Sequence, residues 1–204
     1  MSDEYKTIKK EARAELKVQG SKFIASAAPS ITKSEAEEFI GRQRKQYHDA
    51  THNCFAYRCG TDGHVFRFND DGEPSGTAGK PILAAIDKFG LTDTVVVVTR
   101  YFGGTKLGVG GLIRAYGDAA ELALSSAEIQ TKYILESIRI SFPHSHISNI
   151  MHVTSQCGAK IVDTLYDEEV HLELEIRKSK AEDLRSLLIN NTSGNVRIKP
   201  ENLK

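Results

Sequence analysis

Residues 70–111 constrain the fold of this chain more than any other stretch. Two glycine-dense turns, residues 70–79 (DDGEPSGTAG) and 103–111 (GGTKLGVGG), bracket a helical segment and the run Val95-Val96-Val97-Val98. Glycine weakens helices and strands, so a folded chain concentrates it where the backbone turns sharply or something comes close. The β-branched run suits a strand buried on both faces. Arg100 and Tyr101 leave that strand and enter the second turn. Side chains there sit at the rim of a sheet, where open α/β folds place ligands. The pattern predicts a binding surface, though not by itself a reaction.

The remaining elements fall on either side. Residues 5–18 and 21–29 read as two strands joined at Gly20. Ser34 and Glu37 have capping-box spacing, and Ala36, Phe39, Ile40, Gln43 and Tyr47 recur at helical intervals, predicting a helix over about 33–46. Strands are expected at 53–59, 65–68 and 94–100. A helix opens near Pro81 and stops at Gly90. A further helix starts within 107–111, packs through Leu112, Ala119, Ala120, Ala123 and Ala127, and needs a close neighbour at Gly117. The pattern restarts near Lys132. Strands at 134–142, 159–166, 170–177 and 195–199 alternate with helices at 146–156 and after Ser179, giving βαββαβ, the ferredoxin-like order. The expected architecture is α+β with two domains, 1–130 and 131–204.

Charge narrows the partners. Basic and acidic side chains number 27 each, and both halves are balanced: 17 against 16 up to Ala127, 10 against 11 beyond it. Nucleic-acid contact must therefore use a local patch rather than a global field. Met1-Ser2-Asp3-Glu4 is acidic with no apolar core of a signal peptide, and no run approaches the ~20 apolar residues of a membrane span. Cys54, Cys59 and Cys157 form no CxxC pair and read as free thiols in a reducing cytoplasm.

Known phosphate motifs fail. A Walker A loop would need glycine where Pro74 stands and Ser or Thr where Pro81 stands; a Rossmann fingerprint would need glycine at Ile113. Lys106 and the amides of residues 108–111 at a helix start still suit an anion, and close backbone packing is the alternative. Asp70, Asp71 and Glu73 suit a metal or acid–base chemistry, or simply a well-formed turn. Arg100, Tyr101, Lys106 and Arg114, interleaved with Phe102 and Tyr116, suit phosphate contacts and base stacking, or ion pairs with Asp70 or Asp118. His48 and His52, four apart, lack a third zinc ligand. His52 reads as a hydrogen-bonded residue at the edge of the site, and a Cys54 nucleophile with His52 as base is the alternative.

The strings DDGEPSGTAGKPIL and VVVVTRYFGGTKLGVGGLIRAYGDAA, with Ala50-Thr51-His52-Asn53-Cys54 upstream, resemble the YigZ/IMPACT family over about residues 21–127. The resemblance implies an N-terminal domain like the second domain of a small-subunit ribosomal protein and like elongation factor G (EF-G) domain IV. It implies a ferredoxin-like C-terminal domain like EF-G domain V. Eukaryotic relatives act in translational control and carry an RWD partner-binding domain without counterpart in this sequence. For two-domain members the resemblance implies RNA or ribosome association without a settled catalytic activity. Positions matching the family's shared patch are His52, Asp70, Asp71, Glu73, Thr77, Gly79, Arg100, Tyr101, Gly103, Gly104, Lys106, Leu107, Gly108, Gly110 and Gly111. The leading expectation is thus a cytoplasmic, non-enzymatic RNA- or ribosome-binding protein without cofactor or metal. Its ligand would lie against Arg100, Tyr101, Lys106 and residues 103–111, faced by residues 70–77. An enzyme using Asp70 and Asp71 on nucleotide or metal is the second expectation, and a protein-interaction module the third.

Overall fold

A computed structural model describes residues 3–199. The chain divides into two compact units: Tyr5–Lys132, and residues 133–199 joined by residues 3–4.

The first unit is built on an antiparallel five-stranded sheet. Its strands are β2 (Ala12–Val18), β3 (Ser21–Pro29), β6 (Thr94–Tyr101), β4 (His52–Cys59) and β5 (Val65–Asn69), in that spatial order. A short strand β1 (Glu4–Ile8) precedes them and pairs with β7 (Ile129–Tyr133). Helix α1 (Lys33–Gln46) covers one face of the sheet; α2 (Gly79–Lys88) and α3 (Gly108–Ser126) cover the other. β6 is buried on both faces, as its valines require. Val96 and Val98 join the core under α2 and α3, while Val95 and Val97 join Phe39, Ile40, Phe55 and Tyr57 under α1. Each such valine contributes roughly 1.5–3 kcal/mol by burial.

The local differences from expectation have physical reasons. The stretch 5–18 is broken at residues 9–11, so β1 leaves the large sheet to pair with β7, which the sequence pattern did not indicate. The cap of α1 is Thr32, whose hydroxyl accepts from Glu35 N–H, while the Glu35 carboxylate accepts from Ile31 N–H. The box spacing is right but lies two residues before Ser34. Gly117 meets only Pro81 Cβ, at the 3.9 Å of an ordinary contact, so no steric demand explains it.

In the second unit, β8 (Leu135–Phe142), α4 (Ile147–Cys157), β9 (Lys160–Tyr166), β10 (Val170–Arg177), α5 (Ala181–Asn191) and β11 (Arg197–Ile198) follow in βαββαβ order. The antiparallel sheet runs β11-β8-β10-β9. Alternation in β10 sends Val170, Leu172, Leu174 and Ile176 into a core with Ile150, Val153, Leu184 and Leu188. Gly158 ends α4 in the left-handed region, at φ 70°. Ser179 does not cap α5. Its hydroxyl and amide donate instead to the Asp3 carboxylate, which also takes two hydrogen bonds from Arg177.

Candidate functional site

Period-two alternation puts Ser21, Phe23, His52, Cys54 and Arg100 on the sheet face that α2 and α3 cover, at the end where both glycine turns lie. Arg100 follows Val96 and Val98 on that face, and its side chain is directed inward. It is only 4% exposed.

The first turn is held by its own carboxylates. Asp70 accepts backbone hydrogen bonds from Gly76 (2.9 Å), Ala78 (3.0 Å) and Gly79 (2.8 Å), closing the N-terminus of α2. Burial alone would raise its pKa, but these three donors outweigh burial and hold its pKa below the usual aspartate value. Asp71 accepts from Asn53 N–H at 2.7 Å and from Arg44 at 2.9 Å; its carbonyl accepts from His52 Nδ1 at 2.8 Å. Thr77 donates to the Pro74 carbonyl. Gly79 has no room for a side chain, since a Cβ would stand 2.7 Å from the Asn69 nitrogen.

Behind this turn lies a buried polar cluster. Glu73 Oε1 accepts from Arg100 Nη1 at 2.6 Å and from the Tyr116 hydroxyl at 2.7 Å, with His52 Nε2 3.8 Å away. Arg100 Nη2 donates to Ser21 Oγ at 3.3 Å. Burial drives the Tyr116 hydroxyl and the Cys54 thiol far above their usual pKa values, and Cys54 donates to the Asp70 carbonyl. Cys54 is also fully buried, so its thiol is closed to a substrate and the nucleophile reading has no support in the site. Among the described residues no group of three or more His, Cys, Asp or Glu side chains is arranged to hold a metal ion.

The second turn is fixed at its start and open at its end. The Tyr101 hydroxyl donates to Asp49 at 2.7 Å. Phe102 N–H donates to Thr51 Oγ1 (3.1 Å) and Gly103 N–H to Ser21 Oγ (3.2 Å). Gly103 lies so close to Gly20 that a Cβ would fall 1.9 Å from the Gly20 carbonyl carbon. Gly104 (φ 87°) and Gly108 (φ 69°) occupy the left-handed region. Beyond them α3 begins with no side-chain cap. The N–H groups of Gly108, Val109 and Gly110 have no hydrogen-bond acceptor among the described residues. Exposed Lys106 and Arg114 have no ion-pair partner among them either.

The glycines of this turn divide by cause. Backbone conformation accounts for Gly104 and Gly108, close packing for Gly103, and a 3.0 Å approach to Leu107 Cβ for Gly111. Gly110 has neither a left-handed φ nor any atom within 4 Å of a Cβ. Nothing among the described residues calls for a glycine there.

The site therefore separates the expected residues. Asp70, Asp71, Glu73, Thr77, Gly79, His52 and Arg100 form an internally bonded scaffold, in which buried Arg100 Nε alone of the guanidinium nitrogens lacks a partner among the described residues; Lys106, Gly108 and Gly110, with Phe102 and Arg114, remain open to solvent. Ser21 and Asp49 join through tertiary contacts that no local motif announces, and Thr51 joins from the 50–54 string. Tyr116 is buried, not presented.

Fold and site thus define a two-unit α+β protein whose first unit carries one glycine-rich helix start left uncapped. The Impact N-terminal domain model matches residues 19–124, and a model for a domain of unknown function matches 140–195. The chain belongs to the IMPACT family. It is 36% identical to IMPACT family member YvyE of Bacillus subtilis, over 98% of this chain and 92% of that protein. It is 32% identical to IMPACT family member YigZ of Escherichia coli, over 89% and 90%. A crystal structure described as that of a hypothetical protein covers 100% of both chains with a TM-score of 0.73 at 29% identity.

Proposed function

We propose that the first unit binds RNA through a backbone phosphate seated on the N-terminus of α3, and that the protein works in translation in the cytoplasm, in association with the ribosome. The observation that carries this reading is the uncapped first turn of α3, where three N–H groups lack an acceptor among the described residues, beside Lys106, a cation with no ion-pair partner among them. Free amides and the positive end of the helix dipole favour a phosphate there. Arg114, one helical turn beyond Gly110, adds a second cation. The zero net charge of the chain limits the contact to this patch. The likeness of the first unit to a ribosomal-protein domain and to EF-G domain IV, and of the second to EF-G domain V, belongs to the same proposal. It agrees with the antiparallel βαββαβ order of residues 135–198. The enzyme reading through Asp70 and Asp71 has no support in the site, because both carboxylates are occupied by backbone donors.

The test is a titration of a labelled single-stranded RNA over a salt series. Affinity is expected to fall as salt rises, and Lys106→Ala to weaken binding and reduce the salt slope by about 0.7, the value for one phosphate contact on a single strand. Equal affinity and slope for wild type and Lys106→Ala would remove the phosphate from this position.

A further inference from the structure

Phe102 is a large apolar side chain left 46% exposed although the backbone around it is held on several sides. Its own N–H is bound by Thr51, the next N–H by Ser21, and Gly103 is locked against Gly20. Its ring does not hang free. The guanidinium of Arg100 lies 5.4 Å from the Phe102 ring centroid and 5.5 Å from that of buried Phe23. That guanidinium is itself fixed by Glu73 and Ser21. A cation buried against a ring holds it in place and leaves the rest of its surface to solvent. Near-half exposure fits a ring with one face covered and one open.

Resting on the RNA reading above, we infer that Phe102 is a stacking platform for an unpaired base, so that the site selects single-stranded over duplex nucleic acid. Bases inside a duplex have both faces occupied by their neighbours, whereas an unpaired base offers a free face to an aromatic ring. Phe102 stands four residues before Lys106, within the same turn. The phosphate at α3 and the stacked base thus become two contacts of one short strand. Arg100 and Glu73 act as positioning residues: they hold the platform and touch no ligand. Immobilising the ring in advance lowers the ordering cost of binding.

The experiment compares a labelled single-stranded RNA with its duplex, at fixed salt and over a salt series, for wild type, Phe102→Ala, Phe102→Tyr and Phe102→Trp. Melting curves first establish that each variant is folded. Phe102→Ala should lose about tenfold to a hundredfold in single-strand affinity. Its salt slope should stay unchanged, because stacking releases no counterions. Phe102→Tyr should retain binding. The chain contains no tryptophan, so Phe102→Trp supplies a lone tryptophan whose selectively excited emission single-stranded RNA should quench and duplex should not. Salt-dependent binding that is equal for both RNA forms and unchanged in Phe102→Ala would overturn the stacking inference and leave the phosphate contact standing. Absence of binding to either form would overturn both.

Discussion

Helices α2 and α3 both emerge from glycine-rich turns at the same end of the sheet, and they treat their free amides in opposite ways. The start of α2 carries its own anion: Asp70 accepts from Gly76, Ala78 and Gly79. The start of α3 carries none, and its amides face solvent beside Lys106. Glycine content does not distinguish the two turns; the presence of a fixed carboxylate does. A turn that is filled internally contributes stability, while one left open gives up a cap, worth about 0.5–2 kcal/mol, that a bound phosphate can replace. Changes in the first turn should therefore be read in folding, and changes in the second in binding.

The largest expected effect lies in the cluster behind the filled turn. Glu73→Ala strands the buried Arg100 guanidinium and should destabilise the protein by about 3–5 kcal/mol, as measured by the urea midpoint. A loss within the ~0.5 kcal/mol typical of surface changes would mean that Arg100 finds other partners and the scaffold is not a unit. Next comes the cap itself. Asp70→Ala should cost about 1–2 kcal/mol near neutral pH. The folded protein holds the Asp70 pKa below the usual aspartate value, so its stabilisation is complete above that value and disappears as pH falls through the lower, folded one. The stability gap between wild type and Asp70→Ala should thus be widest near neutrality and narrow steadily in acid. A gap that widens in acid would reverse the assignment.

How much of this could be read in advance depended on how local each interaction is. The buried strand Val95–Val98, the span of α1 and the order of the second unit followed from periodicities of 2 and 3.6 within single segments. The filling of α2 by Asp70 spans up to nine residues of irregular turn and leaves no periodic trace. Arg100 was expected to face a ligand because it borders the second turn. The parity of Val96, Val98 and Arg100 already pointed it under α2 and α3, and the residue that receives it, Glu73, is 27 positions away. Gly110 illustrates the limit from the other side. Sequence counts it with its neighbours, and only the geometry around each Cβ separates it from Gly103 and Gly104.

That separation supplies the most direct measurement. Gly110→Asp places a carboxylate in the first turn of α3, giving it what Asp70 gives α2. The site has room for the side chain, and removing a helical glycine while adding a negative charge near the N-terminus should stabilise the fold by about 1 kcal/mol. Thermal unfolding and RNA titration on the same preparation should show a melting temperature at or above wild type, together with loss of salt-dependent RNA affinity. A variant that is as stable as wild type and binds RNA equally well would show that the open amides of α3 hold no phosphate.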